Sequence, residues 1–149
     1  MYNYIFRSLS NTTSSTVNRF LPFFSIKPGA KPIAIVDIAF DPNVQLYILA
    51  IRRGCAFTTG TTTSPVALTL DAPTPLFAAV YSASGALTAT NGYTDKEVYH
   101  ATGGVTGQPE WRESMSGLIL PANYQGSLDV YVTSPTASSS FKMNVIVVE

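Results

Sequence analysis

YQGSLDVYVTS, residues 124–134, alternates along its length. Tyr124, Leu128, Val130 and Val132 share one face, and Gln125, Ser127, Asp129 and Thr133 share the other. Successive side chains of a strand point to opposite sides of a sheet, so period two reads as a strand with one apolar and one wet face. FKMNVIVV (141–148) repeats the pattern, with Phe141, Met143, Val145 and Val147 on one side. SPTASSS (134–140) between them reads as a connector.

Working back from this pair, SGLILP (116–121) is a strand stopped by Pro121. IAIVDIAF (33–40) ends at the turn signal Asp41-Pro42-Asn43, and VQLYILAI (44–51) is apolar on both faces, as a central strand is. CAFTT (55–59), VALTL (66–70), LFAAVYS (76–82) and ALTAT (86–90) are shorter candidates. Asn91-Gly92 tolerates the positive φ of a hairpin turn. QPEWRES (108–114), with Pro109 near its start, is the one place where a helical turn fits. Eight to ten short strands with frequent turn signals predict an all-β sandwich, the jelly roll being one arrangement that this strand count allows.

The 149 residues suit one domain with a real core. Charged residues make up only 12%, against the usual ~25%, so Ser, Thr, Asn, Gln and Gly cover much of the surface. Such a coat suits a protein used up in contacts with other protein. Residues 1–36 hold Arg7, Arg19, Lys27 and Lys31 and no acid. Four dispersed bases are too dilute to package nucleic acid, so no direct nucleic-acid binding is expected. Cys55 stands alone, which excludes an internal disulfide. No apolar run approaches the ~20 residues of a membrane span. MYNYIFRSL lacks the features of a signal peptide, so the expectation is a protein made in a cytoplasm.

Residues 1–32 read as an N-terminal arm ahead of a sandwich at 33–149. The arm carries Tyr2, Tyr4, Ile5, Phe6, Leu9, Phe20, Leu21, Phe23 and Phe24. Burying them all yields roughly 20 kcal/mol, whereas fixing thirty backbone residues costs roughly 1–2 kcal/mol each. Side-chain burial alone does not order it; ladder hydrogen bonds or a partner surface must add to it. The arm either folds back on its own sandwich or reaches into a neighbouring subunit. In the second case Tyr2, Phe6, Phe20, Phe23 and Phe24 are the anchors, and Arg7 and Arg19 select acidic neighbours. Tyr2, Ile5, Phe6 and Leu9 fit helical spacing, while Tyr2, Tyr4 and Phe6 fit a strand, and both stay open.

Candidate chemistry is sparse. His100 is the single histidine, and no G-x-S-x-G elbow accompanies it. Asp95, Glu97 and His100 offer oxygen and nitrogen ligands, but Lys96 lies among them and no EF-hand or zinc spacing is present. Arg52 and Arg53 beside Cys55 would lower a thiol pKa, yet a part-buried cysteine is the default. Asn11-Thr12-Thr13 matches a glycosylation sequon within a polar tract. Glu110, Trp111 and Arg112 can stack on a sugar or anchor a partner, or Trp111 can plug the end of the sandwich. The carboxylates of Glu110 and Glu113 make only a weak glycosidase couple. The sequence supports no catalytic residue, metal site or cofactor, and the expectation is a protein that is not an enzyme.

SGLILPANYQGSLDVYVTS and the apolar opening segment together resemble β-sandwich virion structural proteins: capsid, capsid-decorating or minor coat proteins. The resemblance implies assembly with copies of itself or another capsid protein, and residence in a virion. A second resemblance, over LFAAVYSASGALTA, GLILPANYQGSLDVYV and FKMNVIVV, is to the β-sandwich modules appended to secreted bacterial hydrolases. It implies an extracellular module binding carbohydrate or protein.

Overall fold

The structure, a computed structural model, describes residues 1–12, 21–42, 47–54, 57–82, 87–89, 98–103, 111–114, 119–133 and 140–149. Among these the strands are β1 (Asn3–Thr12), β2 (Leu21–Lys27), β3 (Ile33–Pro42), β4 (Tyr47–Gly54), β5 (Phe57–Thr59), β6 (Thr61–Thr62) and β7 (Val66–Ala67). They continue as β8 (Ala78–Tyr81), β9 (Thr88–Ala89), β10 (Val98–Gly103), β11 (Trp111–Ser114), β12 (Ile119–Leu120), β13 (Ser127–Thr133) and β14 (Ser140–Val148). All pairings are antiparallel. The all-β sandwich expected from the sequence is present.

Its connectivity is that of one long ribbon, rolled up. β1 pairs β14, β2 pairs β13, β3 pairs β11 and β4 pairs β10. Rolling this ribbon brings β14 beside β3 and β13 beside β4. The result is one sheet in the order β11-β3-β14-β1 and a second in the order β10-β4-β13-β2. Two four-stranded sheets so connected are a jelly roll. The segment joining β4 to β10 is long enough to cross to the far side of the sandwich. There it lays β7 against β1, β8 against β2 and β6 against β8, widening both sheets.

The interior is apolar and aromatic. Tyr4, Phe6 and Leu9 from β1 meet Phe23, Phe24 and Ile26 from β2, with Ile33, Ile35 and Ile38 of β3 and Leu128, Val130 and Val132 of β13. Met143, Val145 and Val147 complete the β14 contribution. Three bulges tune which side chains enter. In β1 an extra residue lies between Phe6 and Leu9, where Ser8 adopts φ 54° and its amide donates to Asn144 Oδ1 at 2.8 Å. In β2 the extra residue is Phe23, so Phe23 and Phe24 both reach the core. In β3 it is Val36, after which Ile38 takes the inward position. Each bulge shifts the alternation by one residue.

Two expectations are corrected here. Residues 3–12 and 21–27 are not an arm outside a 33–149 domain: they are β1 and β2, each hydrogen-bonded between neighbours within a sheet. Ladder bonds to β14 and β13 supply the order that side-chain burial alone does not. The residues 111–114 are not a helical turn but β11, paired with Phe40 to Asp37. So short a helix has no nucleation advantage, whereas a strand here gains a ladder.

Candidate functional site

Two features stand out from the packed frame: a buried carboxylate cluster on the second sheet, and a groove at the side where the β4–β10 excursion lies.

Asp129 sits on β13 between inward-facing Leu128 and Val130, so its side chain leaves the outer face of the second sheet. That face is not wet here. Ser25, Ser127 and Asp129 are all buried, Asp129 with 0% exposure. Ser25 stands opposite Asp129 in register. The Ser25 hydroxyl donates to Asp129 Oδ1 at 2.7 Å, and the Ser127 hydroxyl donates to the same oxygen at 2.6 Å. Oδ2 is buried without a hydrogen-bond partner among the described residues. Burial pushes the carboxyl up to about 7, while the hydrogen bonds from Ser127 and then Ser25 pull it down. Arg52 of β4 holds the register position on the other side of Asp129. The cluster is sealed, so it acts on the stability of the sheet and offers no surface to a substrate.

The groove encloses about 550 Å³ between the short edge strands β6 and β7 and the returning segment 72–79. Its walls are Thr, Ser, Pro and Ala, with Tyr4 and Phe77 at its base. Their rings meet edge to face, centroids 5.5 Å apart. The Tyr4 hydroxyl donates to the Pro73 carbonyl at 2.9 Å, and the Leu76 amide donates to Glu149 Oε1 at 2.9 Å. These two bonds fasten the returning segment to β1 and to the residue after β14. Burial, with the Glu149 carboxylate next in effect, raises the Tyr4 phenol above its ordinary value, which keeps it a donor. Val66, Leu68, Leu70 and Leu76, next in sequence to residues that line the groove, are all exposed.

The residues singled out from sequence fare unevenly. Phe6, Phe23 and Phe24 are core residues, so they are not available as anchors for a neighbour, and half-buried Tyr2 packs on the same cluster. Arg7 is exposed. Arg19, Phe20 and Glu110 lie outside the described residues; Trp111 and Arg112 lie on β11, their side chains outside the description. His100 stands on β10 opposite Ala50, also without a described side chain. Among the described residues no three His, Cys, Asp or Glu side chains gather as metal ligands, and no helix is long and apolar enough to cross a membrane.

The sequence pattern gives no notice of the groove. VALTL looks like a strand, but only Val66 and Ala67 pair, and the leucines that follow turn out to solvent.

No protein-family model matches the chain, and no curated protein matches it. Among solved structures it is similar to a chain in "Structure of infectious bursal disease virus Gx strain", at 14% identity and a TM-score of 0.22. That alignment covers 97% of this chain and 40% of the other. At that TM-score the likeness carries no argument, and the architecture rests on strand pairing alone.

Proposed function

We propose that this chain is a structural component of a virion, a capsid, capsid-decorating or minor coat protein whose jelly roll serves as a rigid brick. The observation that carries the reading is the strand order itself. A rolled four-plus-four ribbon with a filled apolar interior is one of the architectures used by capsid domains, and here its space goes to packing. The charge-poor surface supports it, because a coat of Ser, Thr and Ala with few charges suits extensive contact with other protein. The proposal no longer needs an assembly arm, since β1 and β2 belong to the brick. It assigns no catalytic role and no cofactor, and its partners are copies of itself or another capsid protein.

The test is fractionation of cells that make the protein naturally. Particles are separated on a density gradient, and each fraction is probed with an antibody against the chain. Co-migration with nuclease-protected nucleic acid is expected. Recovery only at monomer mass, together with specific retention on an immobilised glycan, would replace this reading with a carbohydrate-binding module.

A further inference from the structure

We propose that Asp129 is the latch of a pH-sensitive cover on the outer face of the second sheet. While Asp129 holds a proton the cover stays shut. Loss of that proton lets the cover lift locally, with both large sheets intact.

Residues directly opposite in an antiparallel pair lie on the same face. Arg52 of β4, Asp129 of β13, Ser25 of β2 and Val80 of β8 are opposite one another in turn, so their register positions form one row across the second sheet. Leu128 and Val130 enter the core, which assigns the row to the outer face. Such a face is ordinarily wet. Here Ser25 is 3% exposed, and Ser127 and Asp129 are 0% exposed. This is the burial of a single chain, so the chain covers its own sheet.

The described part of that cover is Leu87, itself buried, with the ribbon of β5 and β9. A Cβ on Gly60 would meet Leu87 Cδ2 at 2.5 Å and Val80 Cβ at 3.3 Å, which sets Leu87 near the Val80 end of the row. Among the described residues β5 and β9 pair with each other and with neither large sheet, so raising the ribbon breaks no rung of the sandwich. Gly60 joins β5 to β6 with φ 155°, a backbone conformation that favours glycine, and it is the hinge.

Beneath the cover Oδ1 of Asp129 accepts both serine hydroxyls, and Oδ2 has no hydrogen-bond partner among the described residues. A charged carboxylate with one dry oxygen is costly, and the neutral acid loses far less. The titratable residues on the neighbouring strands are Tyr47, Arg52 and Arg53 of β4, Lys27 of β2 and Tyr81 of β8, with Tyr131 on β13 itself. β5 and β9 carry none. Closed, Asp129 is held at about 7 by burial, and a wetted carboxyl titrates near ~4. Between those values the open form sheds the proton that the closed form keeps. Opening therefore grows with pH from about 4, by up to about tenfold per unit, and levels off above about 7.

The experiment is thiol exchange with a dipyridyl disulfide on the full chain carrying Leu87→Cys and Cys55→Ala, from about pH 4.5 to 8.5. Each rate is divided by that of the same chain unfolded in urea at the same pH, which removes the titration of the thiol. Accessibility should rise at least tenfold toward pH 7.5, then level off, and should not respond to dilute urea. Adding Asp129→Asn should keep it low at every pH. Adding Ser25→Ala removes a bond that favours the charged form, so the plateau should move to higher pH. Amide exchange at Thr88 and Ala89 of the unsubstituted chain should follow the same course, without any change at Leu87. Accessibility that ignores pH, or an equal rise with Asp129→Asn, overturns the latch. A rise that grows with urea, in step with global unfolding, overturns the local cover.

Discussion

Phe6 and Phe24 meet edge to face across the interior of the sandwich, ring centroids 5.1 Å apart, one from each sheet. Phe77 lies 6.0 Å from Phe6 and extends the stack toward the groove. β1 and β2 thus each send two aromatics into the core, Tyr4 and Phe6 from one sheet and Phe23 and Phe24 from the other.

Phe6→Ala or Phe24→Ala is expected to cost ~3–5 kcal/mol, because each removes a fully buried ring and leaves a cavity. A chain beginning at Lys31 should not fold at all, since both sheets lose an inner strand. Urea denaturation followed by circular dichroism measures both. A cooperative transition from the truncated chain would show that β1 and β2 are dispensable.

Asp129 predicts an acid-side gain in stability. A carboxyl held near 7 when folded and near 4 when unfolded binds its proton more tightly in the folded state. The contribution of Asp129 to stability is therefore smallest above about pH 7, grows as pH falls toward about 4, and is flat below that, by up to ~4 kcal/mol. Asp129→Asn should abolish this slope. Arg52, opposite in register, Arg53 next to it on β4, and Lys27, two residues along β2 from Ser25, are the charged residues on the adjoining strands. Melting temperatures from pH 4 to 8 decide it, read as wild type minus Asp129→Asn: a difference that does not change with pH would show that Asp129 does not titrate with a raised pKa.

Gly29 is a position of close approach. A Cβ there would collide with the carbonyl oxygen and carbon of Leu76, which are backbone and cannot rotate aside. The Gly29 carbonyl also accepts from the Asn123 amide at 2.7 Å. Gly29→Ala should cost ~1–3 kcal/mol, as overpacking does, and should loosen the segment carrying Leu76. A lower urea midpoint with faster amide exchange at Leu76 and Phe77 is the expected result. An unchanged midpoint would show that the two segments separate at little cost.

The parts legible in the sequence are those where alternation runs unbroken. β13 and β14 follow period two from end to end, and both appear where the pattern places them. β1 and β2 do not, and the bulges explain why. Phe6 and Leu9 both face inward although they stand three positions apart, a spacing that suits a helix as well as a strand until the bulge at Arg7-Ser8 is known. Phe23 and Phe24 are adjacent yet both enter the same core, which regular alternation does not allow. Asp129 reads as a residue of a wet face because nothing local reveals that Ser25, 104 positions away, donates to it. The groove was invisible for a similar reason: its two edges come from an excursion whose docking on β1 and β2 follows from the roll of the ribbon.

Asn3 pairs with Val148, and the Tyr2 and Glu149 backbones exchange two hydrogen bonds of 2.8 and 3.0 Å. During translation β1 therefore waits for β14, which also fills the space between β1 and β3. Until then Phe6, Phe23 and Phe24 have no completed core to enter. Pairing over such distances makes closure slow compared with local hairpin formation. The order of synthesis thus sets a delay between making a brick and having one fit to be laid.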